Sequence, residues 1–122
     1  MAPISSFKDL IVWQKAFRLC TGIYGETRGF PADERFGLVA ELRKTARSVV
    51  CNIAEGHRKR STAEFLRFLD ISAGSSAEVE TQLLLARELD YLGAEQSEAL
   101  LVLLAEVQRM LRSLIRSLRA KP

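Results

Sequence analysis

Basic side chains at helical spacing are the feature of this sequence that could contact an anionic partner. Four of them near the C-terminus recur at intervals of three or four residues: Arg109, Arg112, Arg116 and Arg119. At about 100° per residue, this spacing clusters them on one side of a helix. Two further groups lie earlier, namely Arg43, Lys44 and Arg47, and the run Arg58, Lys59 and Arg60. Such clusters suit phosphate backbones without sequence readout, and the alternative is a solvated face with weak surface ion pairs.

The motifs of common catalytic and metal sites are absent from the sequence. It contains no P-loop, no G-x-G-x-x-G and no H-E-x-x-H. The single histidine, His57, follows a predicted helix C-terminus, where a cation is favourable. The two cysteines, Cys20 and Cys51, have no ligand-like spacing with this histidine. We therefore expect a protein that is not an enzyme and that holds no cofactor and no metal.

The two cysteines themselves fall on predicted apolar helical stripes. A free cysteine behaves as a small buried hydrophobe. We therefore expect Cys20 and Cys51 to be reduced thiols in the core, and the sequence alone leaves a disulfide open.

Length and composition indicate one helical domain with a substantial core. The chain has 122 residues, of which 48% are hydrophobic, and only three prolines and seven glycines interrupt it. No apolar run approaches the roughly 20 residues that a transmembrane helix needs, and the first residues lack the pattern of a signal peptide. We therefore expect no membrane partner and a cytoplasmic location. The net charge of +3 is unevenly distributed along the chain, which suits either an anionic partner or charge pairing between subunits.

Apolar residues that recur every three or four positions predict four helices. Their approximate bounds are 7–26, 32–55, 62–92 and 94–119, within a single domain over 1–122. Ser6 with Asp9, and Ser61 with Glu64, supply signals for helix starts. Gly56 and Gly93 are expected at helix C-terminal stops, where glycine is favoured. Because the connections are short, the pattern predicts an all-α fold, an antiparallel up-down four-helix bundle.

The apolar stripes also predict which surfaces are buried. Leu10, Trp13, Phe17, Cys20 and Tyr24 fall on one side of helix one. Because Ile11, Val12, Ala16, Leu19 and Ile23 widen this face, we expect the helix to be contacted on two sides. Helix three carries small residues along its inward stripe, which predicts a close helix crossing lined by Ser72, Gly74 and Ser76. Helices one and four carry more apolar residues than their neighbours in a bundle require. This surplus predicts a homo-oligomer.

Several short motifs occur in a fixed order along the chain. They are Phe7-Lys8-Asp9-Leu10 with Val12-Trp13-Gln14, Phe30-Pro31 with Glu34-Arg35-Phe36-Gly37-Leu38, Asn52-Ile53-Ala54-Glu55-Gly56, Ser61 with Glu64-Phe65, and Tyr91-Leu92. With these motifs the sequence resembles the bacterial four-helix-bundle family named after proteins encoded in intervening sequences of 23S ribosomal RNA genes. The resemblance covers nearly the whole chain and implies a bundle that assembles as a ring-shaped pentamer. It also implies kinship with the accessory protein of diversity-generating retroelements, which binds a reverse transcriptase and nucleic acid.

Two functions follow from these patterns. The first is a non-enzymatic oligomeric adaptor that binds the RNA or DNA backbone, or a nucleic-acid enzyme, through its basic clusters. The alternative is a structural or protein-interaction module with no nucleic-acid partner. Salt-dependent binding of RNA distinguishes the two, because phosphate contacts release counterions.

Overall fold

Four α-helices make up most of residues 6–121, which are the residues that the computed structural model describes. They are α1 (Ile11–Thr27), α2 (Leu38–His57), α3 (Thr62–Glu88) and α4 (Ala94–Arg119). Each helix packs against its two neighbours in the cyclic order α1, α2, α3, α4. The described residues contain no strand. The predicted all-α antiparallel four-helix bundle is therefore confirmed, while residues 1–5 and Pro122 of the predicted domain lie outside the described part.

The structure places the start of the first helix later than the sequence predicts. Ser6 does cap a helical segment, and Asp9 completes a capping box with it, but this segment is a separate 3-10 turn over Phe7–Asp9. Leu10 then adopts an extended conformation, with φ −74° and ψ 124°, and α1 begins at Ile11. The capping signal is local and fixes a turn, but it does not report how far the helix continues beyond that turn.

The second and third helices also differ from their predicted bounds. Ala32–Glu34 forms another 3-10 turn, and Gly37, with φ −102° and ψ −110°, separates it from α2. The Glu34 carboxylate accepts a hydrogen bond from the Leu38 amide at 3.1 Å and so caps the start of α2. The third helix ends at Glu88. The left-handed residue that follows is Asp90, with φ 60°, and not Gly93, which instead is the N-cap of α4.

The core of the bundle lies on the inward faces of all four helices. In α1 the buried face is centred on Val12, Ala16, Leu19 and Ile23. Phe17, on the first apolar stripe of this helix, is 48% exposed. The apolar surface of α1 spans more than one face, so its sequence does not determine which face meets the core. In α4 the inward face is formed by Leu100, Leu104, Val107 and Leu111, which are all buried.

Gly56 lies at a close approach between α2 and α3. It is the penultimate residue of α2 and does not lie beyond the helix end. A Cβ atom on Gly56 would lie 2.7 Å from the Phe68 Cβ and 3.0 Å from the Phe65 Cδ1. Because no glycine in the described residues has a positive φ, close packing is the reason for glycine here. The N-I-A-E-G block thus lets α3 pack closely against the end of α2.

The prediction of a close crossing at Gly74 is wrong. Gly74 is exposed, and a Cβ atom there would meet nothing within 4 Å. Its neighbours in the predicted stripe, Ser72 and Ser76, are buried as expected. The Ser72 hydroxyl donates to the Val49 carbonyl at 2.8 Å, which ties α3 to α2 and satisfies a buried polar group.

The two cysteines differ in their exposure. Cys20 is buried as predicted, whereas Cys51 is exposed, so the expectation of two core thiols is wrong for Cys51. Cys51 follows the buried Val50 on α2, and the step of about 100° between successive helical residues carries it outward.

Large apolar side chains also remain exposed on the bundle surface. On α3 they are Ile71, Leu84, Leu85 and Leu89, the last just beyond the helix end, whereas α1 leaves Ile11 and Phe17 and α4 leaves Val102. Among the described residues, more of the exposed apolar surface therefore lies along α3 than along α4. On α4, Ile115 is buried, and Leu101, Leu103 and Met110 pack partly against the core.

Candidate nucleic-acid interface

The antiparallel topology brings two basic clusters to the same end of the bundle. The turn that carries Arg58, Lys59 and Arg60 connects the end of α2 to the start of α3. The last turns of α4 reach this end, because the Arg119 Nη2 lies 3.2 Å from the Asp70 Oδ2 on α3. We call this surface the basic end and define it by six residues: Arg58, Lys59, Arg60, Arg112, Arg116 and Arg119.

A groove lies between α3 and α4, at the arginine cluster of α4. It has a volume of 410 Å³ and is lined by Asp70, Arg112, Ile115, Arg116 and Arg119. The one acid of the groove, Asp70, is already paired with Arg119. Arg112 and Arg116 are exposed, and no salt bridge to either is found within residues 6–121. Their guanidinium groups can therefore meet an external anion without first breaking an ion pair.

The basic turn, formed by Arg58, Lys59 and Arg60, packs beside the Phe68 ring. The Lys59 Nζ lies 5.2 Å from the centroid of the Phe68 ring, and the Arg67 Cζ lies 4.7 Å from it. Phe68 is only 9% exposed, so these cations cover the ring and leave no free platform on which a base could stack. Arg58 lines a second concave site of 350 Å³ with Ser6, Phe7 and His57. The turn therefore offers positive charge and hydrogen-bond donors, but not aromatic stacking.

The third predicted cluster lies apart from the basic end, beside the C-terminus of α1. The Arg43 Nε donates to the Thr27 hydroxyl at 2.9 Å, and its Nη2 donates to the Tyr24 carbonyl at 3.2 Å. The Arg43 guanidinium also lies 4.7 Å from the Tyr24 ring centroid. Arg47 donates to the Tyr24 hydroxyl at 2.6 Å, and Lys44 is exposed. Arg43 thus serves the α1–α2 contact by satisfying a carbonyl near a helix end.

Arg109 is the member of the α4 cluster farthest from the basic end. It lies near Glu106, whose carboxylate forms an ion pair of 2.5 Å with the Lys15 Nζ on α1. The hydrogen bond and charge of Lys15 hold the pKa of Glu106 below its ordinary value of 4.5, and Arg109 adds to this effect. Arg109 itself is exposed, but the Glu106 carboxylate already offsets part of its positive charge.

Acidic residues lie at the opposite end of the bundle, where α3 meets α4. Tyr91, between these helices, donates to the Glu34 carboxylate at 3.0 Å, which brings the two connections at this end together. This hydrogen bond raises the pKa of Tyr91. The same end carries several further acids, namely Asp33, Glu88, Asp90, Glu95 and Glu98. The molecule is therefore electrically polar, with its net positive charge concentrated at the basic end.

The sequence pattern misses two residues that lie beside the basic end. Arg67 lies above Phe68, and Asp70 pairs with Arg119 across the groove. The sequence could have indicated both residues, because they lie in the first turns of α3. An antiparallel bundle places those turns beside the end of α4. Which of the many arginines meets which acid depends on the register of the helices.

The described residues also bear on metal binding and on membrane insertion. Within the described residues, no group of three or more His, Cys, Asp or Glu side chains is placed to hold a metal ion. None of the helices in residues 6–121 is long and apolar enough to cross a bilayer.

The fold and the surface thus define the class of this protein. It is a small antiparallel helical bundle with one strongly basic end. The family model described as 23S rRNA-intervening sequence protein matches residues 8–113. The chain belongs to this family.

A solved structure supports the same fold. It is the crystal structure of a protein with unknown function from the S23 ribosomal protein family of Bacteroides thetaiotaomicron, with a TM-score of 0.78. The two sequences are 24% identical, and the match covers 86% of this chain and 98% of that one. At this identity the likeness concerns the fold alone. No curated protein matches the chain.

Proposed function

We propose that this protein is a non-enzymatic oligomeric adaptor that binds the phosphate backbone of RNA or DNA through its basic end. The observation that carries the proposal is the 410 Å³ groove, where Arg112 and Arg116 are exposed beside an Asp70 that is already neutralised. The family name records where the genes lie, but the resemblance also implies kinship with an accessory protein that binds nucleic acid, and this kinship supports the choice of nucleic acid as the anion. A nucleic-acid enzyme carrying bound RNA or DNA is the protein partner consistent with this role.

The chemistry of the basic end favours backbone contact over base readout. Guanidinium groups form bidentate, charge-assisted hydrogen bonds with phosphate oxygens. Recognition of single-stranded bases needs free aromatic faces, and the Phe68 ring is covered by Lys59 and Arg67. We therefore expect binding with little sequence preference and a steep dependence on salt.

Oligomerisation is part of this proposal. A single chain offers only one small basic end, and an oligomer repeats that end in every subunit. Exposed Leu84, Leu85 and Leu89 lie on or beside α3 with the acid Glu88 among them. The α1–α2 side carries a groove of 400 Å³ that combines apolar and basic residues, including Phe17, Val50, Arg28 and Arg47. Because α1 and α3 are diagonal in the bundle, contact between these two faces of neighbouring copies is heterologous and can close into a ring. The family resemblance gives a pentamer as the expected ring.

A reversal of charge in the groove tests the nucleic-acid part of the proposal. The double variant Arg112→Glu, Arg116→Glu should reduce binding of a labelled RNA at low salt by at least about tenfold, since it replaces two phosphate contacts with repulsion. The matched control Arg18→Glu, Arg35→Glu changes the net charge equally at exposed residues outside both grooves and should retain most of the affinity. Circular dichroism checks that both variants keep their helices.

Two outcomes would overturn the nucleic-acid proposal. The first is equal binding by the wild type and the groove variant, which would place the phosphate contacts elsewhere or make them nonspecific. The second is no binding of RNA or DNA by the wild type at low salt. The second result would favour the structural or protein-interaction module.

A further inference from the structure

The register of α1 against α2 places the two cysteines of the chain at the same level of the α1–α2 seam. Tyr24 on α1 faces Arg47 on α2, because their side chains are joined by a hydrogen bond of 2.6 Å. In antiparallel helices, one turn back along one helix accompanies one turn forward along the other. A turn of about 3.6 residues leads from Tyr24 to Cys20 and from Arg47 to Cys51. The chain thus carries a dithiol across the α1–α2 seam, one turn away from the Tyr24–Arg47 contact.

The surroundings of the two thiols support this juxtaposition. Cys20 lines the 400 Å³ groove between α1 and α2, together with Val50, the residue that precedes Cys51. Burial raises the pKa of the Cys20 thiol, the nearby Cys51 raises it further, and Arg47 opposes this by lowering it. The two sulfur atoms are therefore close enough to influence each other's ionisation.

The two thiols differ in access, which sets an order for their chemistry. Cys51 is exposed, whereas Cys20 is only 9% exposed and reaches solvent through the groove. A soluble reagent therefore meets Cys51 first. Reactivity of a thiol requires its thiolate and access to the reagent, and burial works against both at Cys20, whose pKa is raised.

We propose that Cys20 and Cys51 form a reversible intramolecular disulfide by exchange with a low-molecular-weight disulfide. The thiolate of Cys51 attacks one sulfur of the reagent, whose S–S bond breaks and releases one thiol, leaving a mixed disulfide on Cys51. The thiolate of Cys20 then attacks the Cys51 sulfur and releases the second thiol. Two protein thiols are oxidised and one reagent disulfide is reduced to two thiols, so that no further oxidant is needed.

The new bond would fasten α1 to α2 along one wall of the groove that contains Phe17 and Tyr24. A crosslink between two helices constrains the unfolded chain more than the folded one and therefore stabilises the fold. The Arg43–Thr27 hydrogen bond already holds the same two helices together farther along the seam. The disulfide would add a covalent contact at the level of Cys20 without a change in topology.

The test treats the folded, full-length protein with glutathione disulfide and measures its intact mass and free thiols. Wild type should lose both free thiols, gain no persistent glutathione adduct, remain uncrosslinked between chains on a nonreducing gel, and regain both thiols with dithiothreitol. The variant Cys20→Ser should stop at the first step, with one glutathione held on Cys51. The variant Cys51→Ser should react much more slowly, because its remaining thiol is buried.

Each contrary result would overturn the proposal. A wild type that keeps two free thiols, or that holds a stable glutathione on Cys51, shows that Cys20 cannot reach the Cys51 sulfur. Covalent dimers linked through Cys51 show that the exposed thiol pairs between chains. If Cys20→Ser does not fold, Cys20→Ala replaces it, and the wild-type measurement decides the question independently of either variant.

Discussion

At the scale of single residues, the Lys15–Glu106 ion pair is the clearest link between charge and stability. It joins α1 to α4 over 2.5 Å, and both side chains are partly shielded from solvent, with 23% and 32% exposed. Lys15 holds the pKa of Glu106 below 4.5. In the unfolded chain this carboxyl returns to its ordinary value, so the unfolded state takes up a proton at higher pH than the folded state does.

The first prediction concerns acid stability. A carboxyl with a lowered folded pKa contributes stability that is fully present above its unfolded pKa and is lost as the pH falls through the folded pKa. Glu106→Gln should therefore be less stable than wild type near pH 7, and the difference should shrink as the pH falls below about 4.5. Urea midpoints measured across this range test the prediction.

A matched control for this experiment lies on the same helix. Glu98 is exposed on α4, and the described residues contain no salt bridge to it. Glu98→Gln should leave the urea midpoint nearly unchanged at every pH. A gap between Glu106→Gln and wild type that stays constant down to pH 3 would contradict the role assigned to the ion pair.

At the scale of helices, the α2–α3 contact shows two different uses of glycine. Gly56 lies where α2 and α3 pack closely, and the nearest atom to an added methyl group is the Phe68 Cβ, which is fixed to its backbone. Gly74 lies in the middle of α3 with open space around its missing side chain. The same substitution should therefore have opposite effects at the two positions.

The second prediction is this pair of alanine variants. Gly56→Ala should lower the free energy of unfolding by about 1–3 kcal/mol, because overpacking forces the helices apart. Gly74→Ala should raise it by about 0.5–1 kcal/mol, because alanine favours the helix and meets no neighbour. Chemical denaturation of both variants provides the measurement. Stabilisation by Gly56→Ala, or destabilisation by Gly74→Ala, would show that the assigned packing is incorrect.

At the scale of the whole molecule, charge and apolar surface are separated by the topology. The basic end collects cations from the α2–α3 turn and from the end of α4, while acids gather at the opposite end. The exposed leucines of the α3 segment lie beside acids, and the groove on the diagonal α1–α2 side contains Arg28 and Arg47. These two surfaces are complementary in both charge and polarity, which is the basis for the proposed ring.

The third prediction concerns that assembly. Wild type should behave in multi-angle light scattering as a homo-oligomer of 13.7-kDa chains, with a pentamer expected at micromolar concentration. The double variant Leu85→Glu, Leu89→Glu should shift it toward monomer, because it places charges in an apolar contact. A wild-type monomer at micromolar concentration would contradict the prediction.

A control variant on α4 identifies the face involved. Val102 is 51% exposed, and Val102→Glu should leave the assembly intact if the contact uses α3. Dissociation by Val102→Glu alone would instead support the contact through helix four that its apolar surplus predicts. The two variants therefore distinguish which of the exposed apolar surfaces is covered.

Local sequence patterns are sufficient to predict the number of helices and the fold class, though not the residues at which each helix begins. Apolar residues at intervals of three and four, together with Ser61, whose hydroxyl accepts a hydrogen bond from the Glu64 amide at 3.1 Å, are signals contained within one or two turns. Such signals act between residues near in sequence and can be recognised without the fold. The same reasoning gave the four stripes, the short connections and the placement of arginines on one side of α4.

The tertiary structure decided which of these features are available for function. Arg43 is occupied by Thr27 and Tyr24, whereas Arg112 and Arg116 remain exposed, although their local patterns are similar. Packing also explains why Gly56 is needed while Gly74 is not, and why Cys20 is buried while Cys51 is exposed. These outcomes depend on the register and rotation of packed helices. Contacts between residues far apart in the chain set both, so no single stretch of sequence contains them.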